Sequence, residues 1–186
     1  MIKRYEDFIL EINRQNIQVI TGLTDEQYLE ACQLCAGILS EELGIPTEDI
    51  FNDIYNSSDK NLSSIAIDST NNNLLGAMIC KESSLNDIIN SYEDPTVTPL
   101  SDVMVDENEK AIEGTALSVK EEYRNTFVVF KLLTKIVELG YKYVYIQQFE
   151  SLQSNINYLR KGCKELIRIE SPEFEEGVKV YVYQSI

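Results

Sequence analysis

None of the 186 residues is a histidine, so proton transfer in this chain must use a carboxylate, a phenol, a thiol, a lysine or water. That removes Ser-His-Asp hydrolysis, Cys-His proteolysis and HExxH zinc chemistry together. Of the four cysteines, Cys32 and Cys35 have the CxxC spacing of a redox or zinc pair, but they fall inside a helical pattern and no second pair follows. They read as buried helical thiols; Cys80 and Cys163 stand alone, and no metal site is expected. Carboxylates are abundant, with Glu93, Asp94 and Asp102 in one acidic stretch and Glu113 at the head of an apolar strand. Among the tyrosines, Tyr158 lies four residues before Gly162 in an amphipathic segment.

The elements that must position these groups centre on residues 113–163. A strand over 113–119 leads through a turn into a helix over 127–139, whose apolar positions include Val129, Leu132, Leu133, Ile136 and Val137. Gly140 caps it, and the β-branched and aromatic run 141–149 is a second strand, so the unit predicts parallel, right-handed pairing. A helix-like pattern over 152–166 and strands over about 165–170 and 178–183 complete the chain.

Upstream, Ile17 to Ile20 reads as a strand, and Thr24-Asp25-Glu26-Gln27 has the form of a capping box opening a helix over 25–43, stopped by Gly44 and Pro46. A short helix follows the cap residue Thr47, burying Ile50, Phe51, Ile54 and Tyr55. The runs 62–67 and 74–80 form a hairpin around an Asp-Ser-Thr-Asn turn. Residues 81–110 read as an acidic insertion with a helical turn near Leu85, Ile88 and Ile89, either functional or a solvated excursion. The order βααβββαβαβ predicts one α/β domain over 1–186, a mixed sheet of six to seven strands with helices on both faces.

Sixteen basic and 31 acidic residues give a net charge of -15 and a pI near 4.4. Such a chain repels nucleic acid phosphates and anionic membranes, so neither is an expected partner. A small amine, a polyamine-like cation or a protein amine is favoured, unless the acidity only keeps the protein soluble. No apolar run reaches the ~20 residues that span a bilayer, and the first residues lack the apolar core of a signal peptide. A cytoplasmic monomer or homodimer is expected.

The element order, with Leu117-Ser118-Val119-Lys120-Glu121-Glu122-Tyr123-Arg124-Asn125, resembles the GNAT superfamily of N-acetyltransferases. In that family the turn after this strand carries Arg/Gln-x-x-Gly-x-Gly/Ala, and its amides, at a helix N-terminus, hold the pyrophosphate of acetyl-CoA. Unpaired amides and the positive end of a helix dipole bind anions, and glycine gives them room. The resemblance places acetyl-CoA along Leu117, Ser118, Val119, Arg124, Asn125, Thr126, Phe127, Val128 and Val129. Arg124 matches the first motif position, whereas Phe127 and Val129 stand where the family has glycine or alanine.

Downstream, Ser151 to Cys163 is similar to the family's Asn-x-x-Ala/Ser-x-x-x-Tyr-x-x-x-Gly-Phe, with Ser151 for asparagine and Cys163 for phenylalanine. The resemblance implies that Tyr158 protonates the departing thiolate, with Ser154 on the small-residue position, and that Glu113 is the general base. Tyr158 reads equally as a tyrosine of an amphipathic helix, and Glu113 as a solvated residue at a strand start. The implied function is acetyl transfer from acetyl-CoA to an amine by direct attack. The alternative is a GNAT-fold binding or interaction protein without catalysis, which Phe127, Val129 and Ser151 favour.

Overall fold

The computed structural model describes residues 16–124, 127–149, 163–173 and 178–185. Strand β1 (Ile17–Thr21) ends at Gly22, which adopts φ 72, and Thr24 then caps helix α1 (Asp25–Leu43). The capping box is complete: the Gln27 amide donates to Thr24 Oγ1 at 3.2 Å and the Thr24 amide donates to Gln27 Oε1 at 3.1 Å. Gly44 stops the helix in the left-handed region at φ 69. Helix α2 (Thr47–Ser57) is capped by Pro46 rather than Thr47 and makes no side-chain cap bond. Ile54 is buried and Ile50 and Phe51 partly so, but Tyr55 stays exposed, stacked on Phe51 at 5.3 Å.

Strands β2 (Ser64–Asp68) and β3 (Leu74–Ser84) form the expected hairpin, its turn held by Asp68 Oδ1, which accepts from the Thr70 amide and hydroxyl. The region beyond it differs from the expectation of an acidic insertion. Lys81 to Ser84 continue β3, paired with Glu113 to Lys110 of β5 (Lys110–Val119). Ion pairs disguise this polar end of the ladder in sequence, Lys110 Nζ meeting Glu82 Oε1 at 2.5 Å. Ser84 caps helix α3 (Leu85–Asn90), which buries Leu85 and Ile88. Strand β4 (Thr96–Pro99) then pairs antiparallel with β7 (Cys163–Glu170). Pro99 is tolerated there because β4 is the edge of the sheet.

Helix α4 (Val128–Glu138) connects β5 to β6 (Tyr143–Phe149), which pair in parallel as predicted, and β8 (Val178–Ser185) lies between β6 and β7. The sheet therefore has eight strands, one or two more than expected, in the order β1-β2-β3-β5-β6-β8-β7-β4. β7 also corrects the helix-like reading that ran to Leu166. The strand expected over 165–170 is present within β7, and Leu166 is an extra residue in its pairing with β8.

Helices lie on both faces. α4 covers one, packing Val128, Leu132 and Ile136 on Leu75, Met78, Ile112 and Val144. α1 and α2 cover half of the other, over Ile65, Ala77, Ile79 and Ala116, and α3 covers the rest, over Ala111, Tyr143 and Tyr145. Cys32, Cys35 and Cys80 are buried, unbonded thiols. Burial pushes Cys32 up to about 11 and Cys35 to about 12, so both are packing groups rather than nucleophiles. Among the described residues no helix is long and apolar enough to cross a membrane.

At Gly76 on β3 a Cβ would come within 2.9 Å of the Ser118 carbonyl oxygen and Val119 Cγ2, and 3.0 Å from Val128 Cγ1. No side chain fits between β3, β5 and the start of α4. Gly76→Ala is expected to destabilise the fold by about 1–3 kcal/mol through overpacking. Urea denaturation of the two proteins checks this, and a change below about 0.5 kcal/mol would show that the helix end gives way.

Candidate functional site

The ladder between β5 and β6 runs only from Ala111 opposite Tyr143 to Gly114 opposite Ile146. Beyond it, Thr115 to Val119 lie in β5, and Gln147 to Phe149 pair with β8 alone. The two central strands thus part inside the sheet. A bulge marks the point: Ile79 faces Ala116 and Cys80 faces Gly114, so Thr115 is an extra residue on β5. Its hydroxyl donates to the Ile79 carbonyl at 3.0 Å and sits 3.0 Å from Ser58 Oγ. A bulge bends its strand and sharpens the local twist, which here carries β5 away from β6.

One residue before the parting, register aligns three polar side chains across three strands: Lys81 on β3, Glu113 on β5 and Tyr145 on β6. Lys81 and Glu113 interrupt the apolar face between the cluster under α1 and α2 and the cluster under α3, to which Tyr145 belongs. Lys81 Nζ is 3.3 Å from Glu113 Oε1, with the two side chains 34% and 20% exposed, so this ion pair is largely withdrawn from water. Over the row lies a cavity of about 180 Å³, walled by Asp53 and Ser57 of α2, by Ile88 of α3 and by Tyr92. Tyr92 is pushed up to about 12 by burial and then by the charges of Glu113 and Glu173. Tyr145 is fully buried and its phenol is pushed up, by burial first and by Tyr143 and Glu113 next. Its hydroxyl has no hydrogen-bond partner among the described residues.

At the far end of β5 the chain turns through a 3-10 turn (Glu121–Tyr123) into α4. Arg124 donates from Nε to the Val119 carbonyl at 3.3 Å and from Nη2 to Glu42 Oε1 at 3.0 Å, bracing the turn against α1. Phe127 caps the helix with φ -75, and its carbonyl accepts from the Lys131 amide at 2.9 Å. Its ring meets that of Phe130 edge-on, with centroids 6.5 Å apart. Phe127 and Val129 are partly buried against the core, and Val128 is fully buried. α1, α2 and α3 each carry acids in the first turn and α4 carries none, so its dipole is left without a carboxylate of its own there.

The expected site residues fall into three groups. Glu113 lies on the cavity floor, next to the parting of the strands. Leu117, Ser118 and Val119 lie on β5 beyond the bulge. The Ser118 side chain is buried beside the Cys35 thiol, so only its backbone faces the gap as a possible contact. Arg124, Phe127, Val128 and Val129 surround the start of α4, while Asn125, Thr126, Ser154 and Tyr158 lie outside the described residues, as do Ser151 and Gly162. Sequence reasoning passed over Lys81 and Tyr145. Lys81 looks like a strand end and Tyr145 like a core aromatic, and only the register sets both beside Glu113. Among the described residues no group of three or more His, Cys, Asp or Glu is placed to hold a metal ion.

No family model matches this sequence, and no curated protein matches it. The likeness to solved structures is extensive. A protein of the yellow fever mosquito Aedes aegypti described as arylalkylamine N-acetyltransferase 7 superposes with a TM-score of 0.62 at 13% identity, over 90% of this chain and 87% of that one. NAA60 of Arabidopsis thaliana, solved with acetyl-CoA, gives 0.61 at 17% identity over 91% and 99% of the two chains. A GNAT-family acetyltransferase of Streptococcus agalactiae gives 0.57 at 12% identity over 92% and 96%. With its mixed sheet, helices on both faces and this likeness over nine-tenths of its length, the chain has the GNAT N-acetyltransferase fold.

Proposed function

We propose that this chain is an acetyl-CoA-dependent N-acetyltransferase that moves an acetyl group to an amine by direct attack. The observation that carries the reading is the parting of β5 from β6 at the Thr115 bulge, with a partly buried carboxylate, Glu113, next to it. An extended thioester arm fits such a gap, because β5 beyond Gly114 has no strand opposite it on that side among the described residues. NAA60, similar in fold at 17% identity, was solved with the same cofactor.

The pyrophosphate end is met by the turn and the start of α4. No described residue of this turn has a positive φ; Asn72 and Asp94 are the non-glycine residues that do. Glycine is therefore not required here for backbone conformation, and its replacement by Phe127 and Val129 is a matter of room. Both side chains lean on the core, which withdraws part of their bulk from the helix end. Arg124 is half exposed, and its guanidinium can exchange Glu42 for a phosphate. Acetyl-CoA, when bound, supplies an activated acyl group with a thiolate as leaving group.

The chain's own residues then have distinct tasks. Backbone amides near Leu117 and Val119 polarise the acyl carbonyl. Glu113 takes the proton from the incoming ammonium, directly or through one water. Asp53 and the acidic surface draw the cation in. Tyr158 gives a proton to the departing sulfur, and Ser154, four residues before it in the sequence, is the small residue of the same motif. The acceptor is a small amine or a protein amine. The rival reading, a binding protein without catalysis, is favoured by the two side chains in the glycine positions and by Ser151 in place of the family's asparagine.

Thermal unfolding with acetyl-CoA separates the two. Cofactor at 100 times its Kd adds about 2.7 kcal/mol of stability, and no rise in Tm at millimolar cofactor would sink the enzyme reading. Phe127→Gly is expected to enlarge the shift; a smaller one would make Phe127 a contact of the cofactor. Glu113→Gln is expected to slow turnover by about 10²–10⁴-fold with the acetyl-CoA shift intact, and unchanged turnover would remove Glu113 as the base. Tyr158→Phe is expected to lower turnover without loss of cofactor binding.

A further inference from the structure

Among the described residues that line the cavity over β3, β5 and β6, Lys81 is the one cation, against the carboxylates of Asp53 and Glu113. Its side chain is 34% exposed, so the ammonium is open to the cavity, and Nζ stands 3.3 Å from Glu113 Oε1. Gly114 and Thr115 line the same cavity, and they are the residues at which β5 leaves β6. One hollow therefore joins the mouth of the gap, a carboxylate and a primary amine that the chain itself supplies. An acceptor held beside the reacting group turns a bimolecular encounter into an intramolecular one, with effective molarities of about 10⁵–10⁸ M in well-oriented cases. Stability alone explains such a lysine poorly, because apolar side chains of similar volume would hold the strands as well.

We propose that Lys81 is itself a modification site, its side chain taking an acetyl group from a thioester held in the gap, with Glu113 as the base. The Lys81 ammonium yields one proton to Glu113, and the free Nζ attacks the acyl carbonyl. The N–C bond forms, the C–S bond breaks, and one of the two remaining Nζ protons goes to the departing sulfur. The products are a thiol and an N-acetyl-lysine, and nothing is oxidised or reduced. Acetyl-lysine carries no charge, so the ion pair to Glu113 is lost. The cavity then keeps two carboxylates, with no cation among its described lining residues. The inference deepens the transferase reading and rests on its gap and its base, but not on the pyrophosphate end at α4.

The test incubates the full chain with acetyl-CoA and, separately, with S-acetyl-N-acetylcysteamine, a thioester without phosphates, and follows each lysine by peptide mass mapping. Lys110, with a side chain 75% exposed and also paired to a carboxylate, is the internal reference, since uncatalysed acetylation follows exposure. Lys81 is expected to gain its acetyl group at least about tenfold faster than Lys110. Glu113→Gln is expected to slow Lys81 by about 10²-fold and leave Lys110 unchanged, and Glu113→Asp, which keeps the carboxylate, to restore most of the rate. A Lys81 no faster than Lys110 with either thioester overturns the proposal, and this ratio decides even if a Glu113 variant does not fold. A Lys81 rate that folded Glu113→Gln leaves unchanged overturns it as well. If the phosphate-free thioester modifies Lys81 while acetyl-CoA neither does so nor raises Tm, the proposal stands and the acetyl-CoA reading falls. If acetyl-CoA raises Tm and acetylates an added amine while Lys81 stays unmodified, the reading stands and the proposal falls.

Discussion

The extra residue at Thr115 is the constraint on which the rest depends. Without it, β5 would keep its alternation and its ladder to β6, and the centre of the sheet would be closed. With it, Thr115 and Ala116 both face α1 and α2, Thr115 against Ser58 and Ala116 within the core beneath those helices. The alternation then resumes with Leu117 on the α4 side and Ser118 against Cys35. The Thr115 hydroxyl bonds the Ile79 carbonyl, which keeps this irregularity from leaving an unpaired backbone group behind it. The bulge is thus a built and satisfied feature, and it opens the sheet next to the partly buried ion pair.

That position gives the ion pair its consequence. Two long charged side chains in mid-sheet are costly to desolvate, and apolar residues of similar volume would serve stability as well or better. Lys81 and Glu113 remain partly open to the cavity, which lowers that cost and keeps the carboxylate reachable. Tyr145, next in the row, gives up hydrogen bonding in the protein itself. Of the three polar groups that weaken the core at this level of the sheet, the Lys81–Glu113 pair faces the cavity and Tyr145 stays within the packing.

How far these features could be read from the sequence depends on whether they are local. The α1 capping box, Gly44, the hairpin at Asp68 and the strand-helix-strand unit each declare themselves within a few residues, and each stands where expected. β4 was missed because four residues that follow one proline and end on another have no periodicity to show, and its partner lies some seventy residues on. The strand expected over 165–170 stands and begins two residues earlier, at Cys163, where the helix-like pattern of 152–166 runs into it. Glu113 stood out by its position, but its companions could not, since Lys81 and Tyr145 become neighbours only through two separate strand registers. Pairing across strands is set by packing over the whole sheet, so the row that defines the cavity is a tertiary fact.

The glycine positions of the turn make the converse point. A motif glycine can mark a backbone that only glycine adopts, or a place where no side chain fits. In this chain the described turn runs at ordinary negative φ, and Phe127 caps α4 with φ -75. Loss of the first kind of glycine would strain the fold, and the start of α4, packed through Val128 against the sheet, would not survive it intact. Loss of the second kind leaves the fold whole and changes only how closely an anion can approach. The intact helix end, without a first-turn acid to compete for it, therefore separates the fold from the ligand: the fold tolerates Phe127 and Val129, and their bulk bears only on how closely an anion could approach.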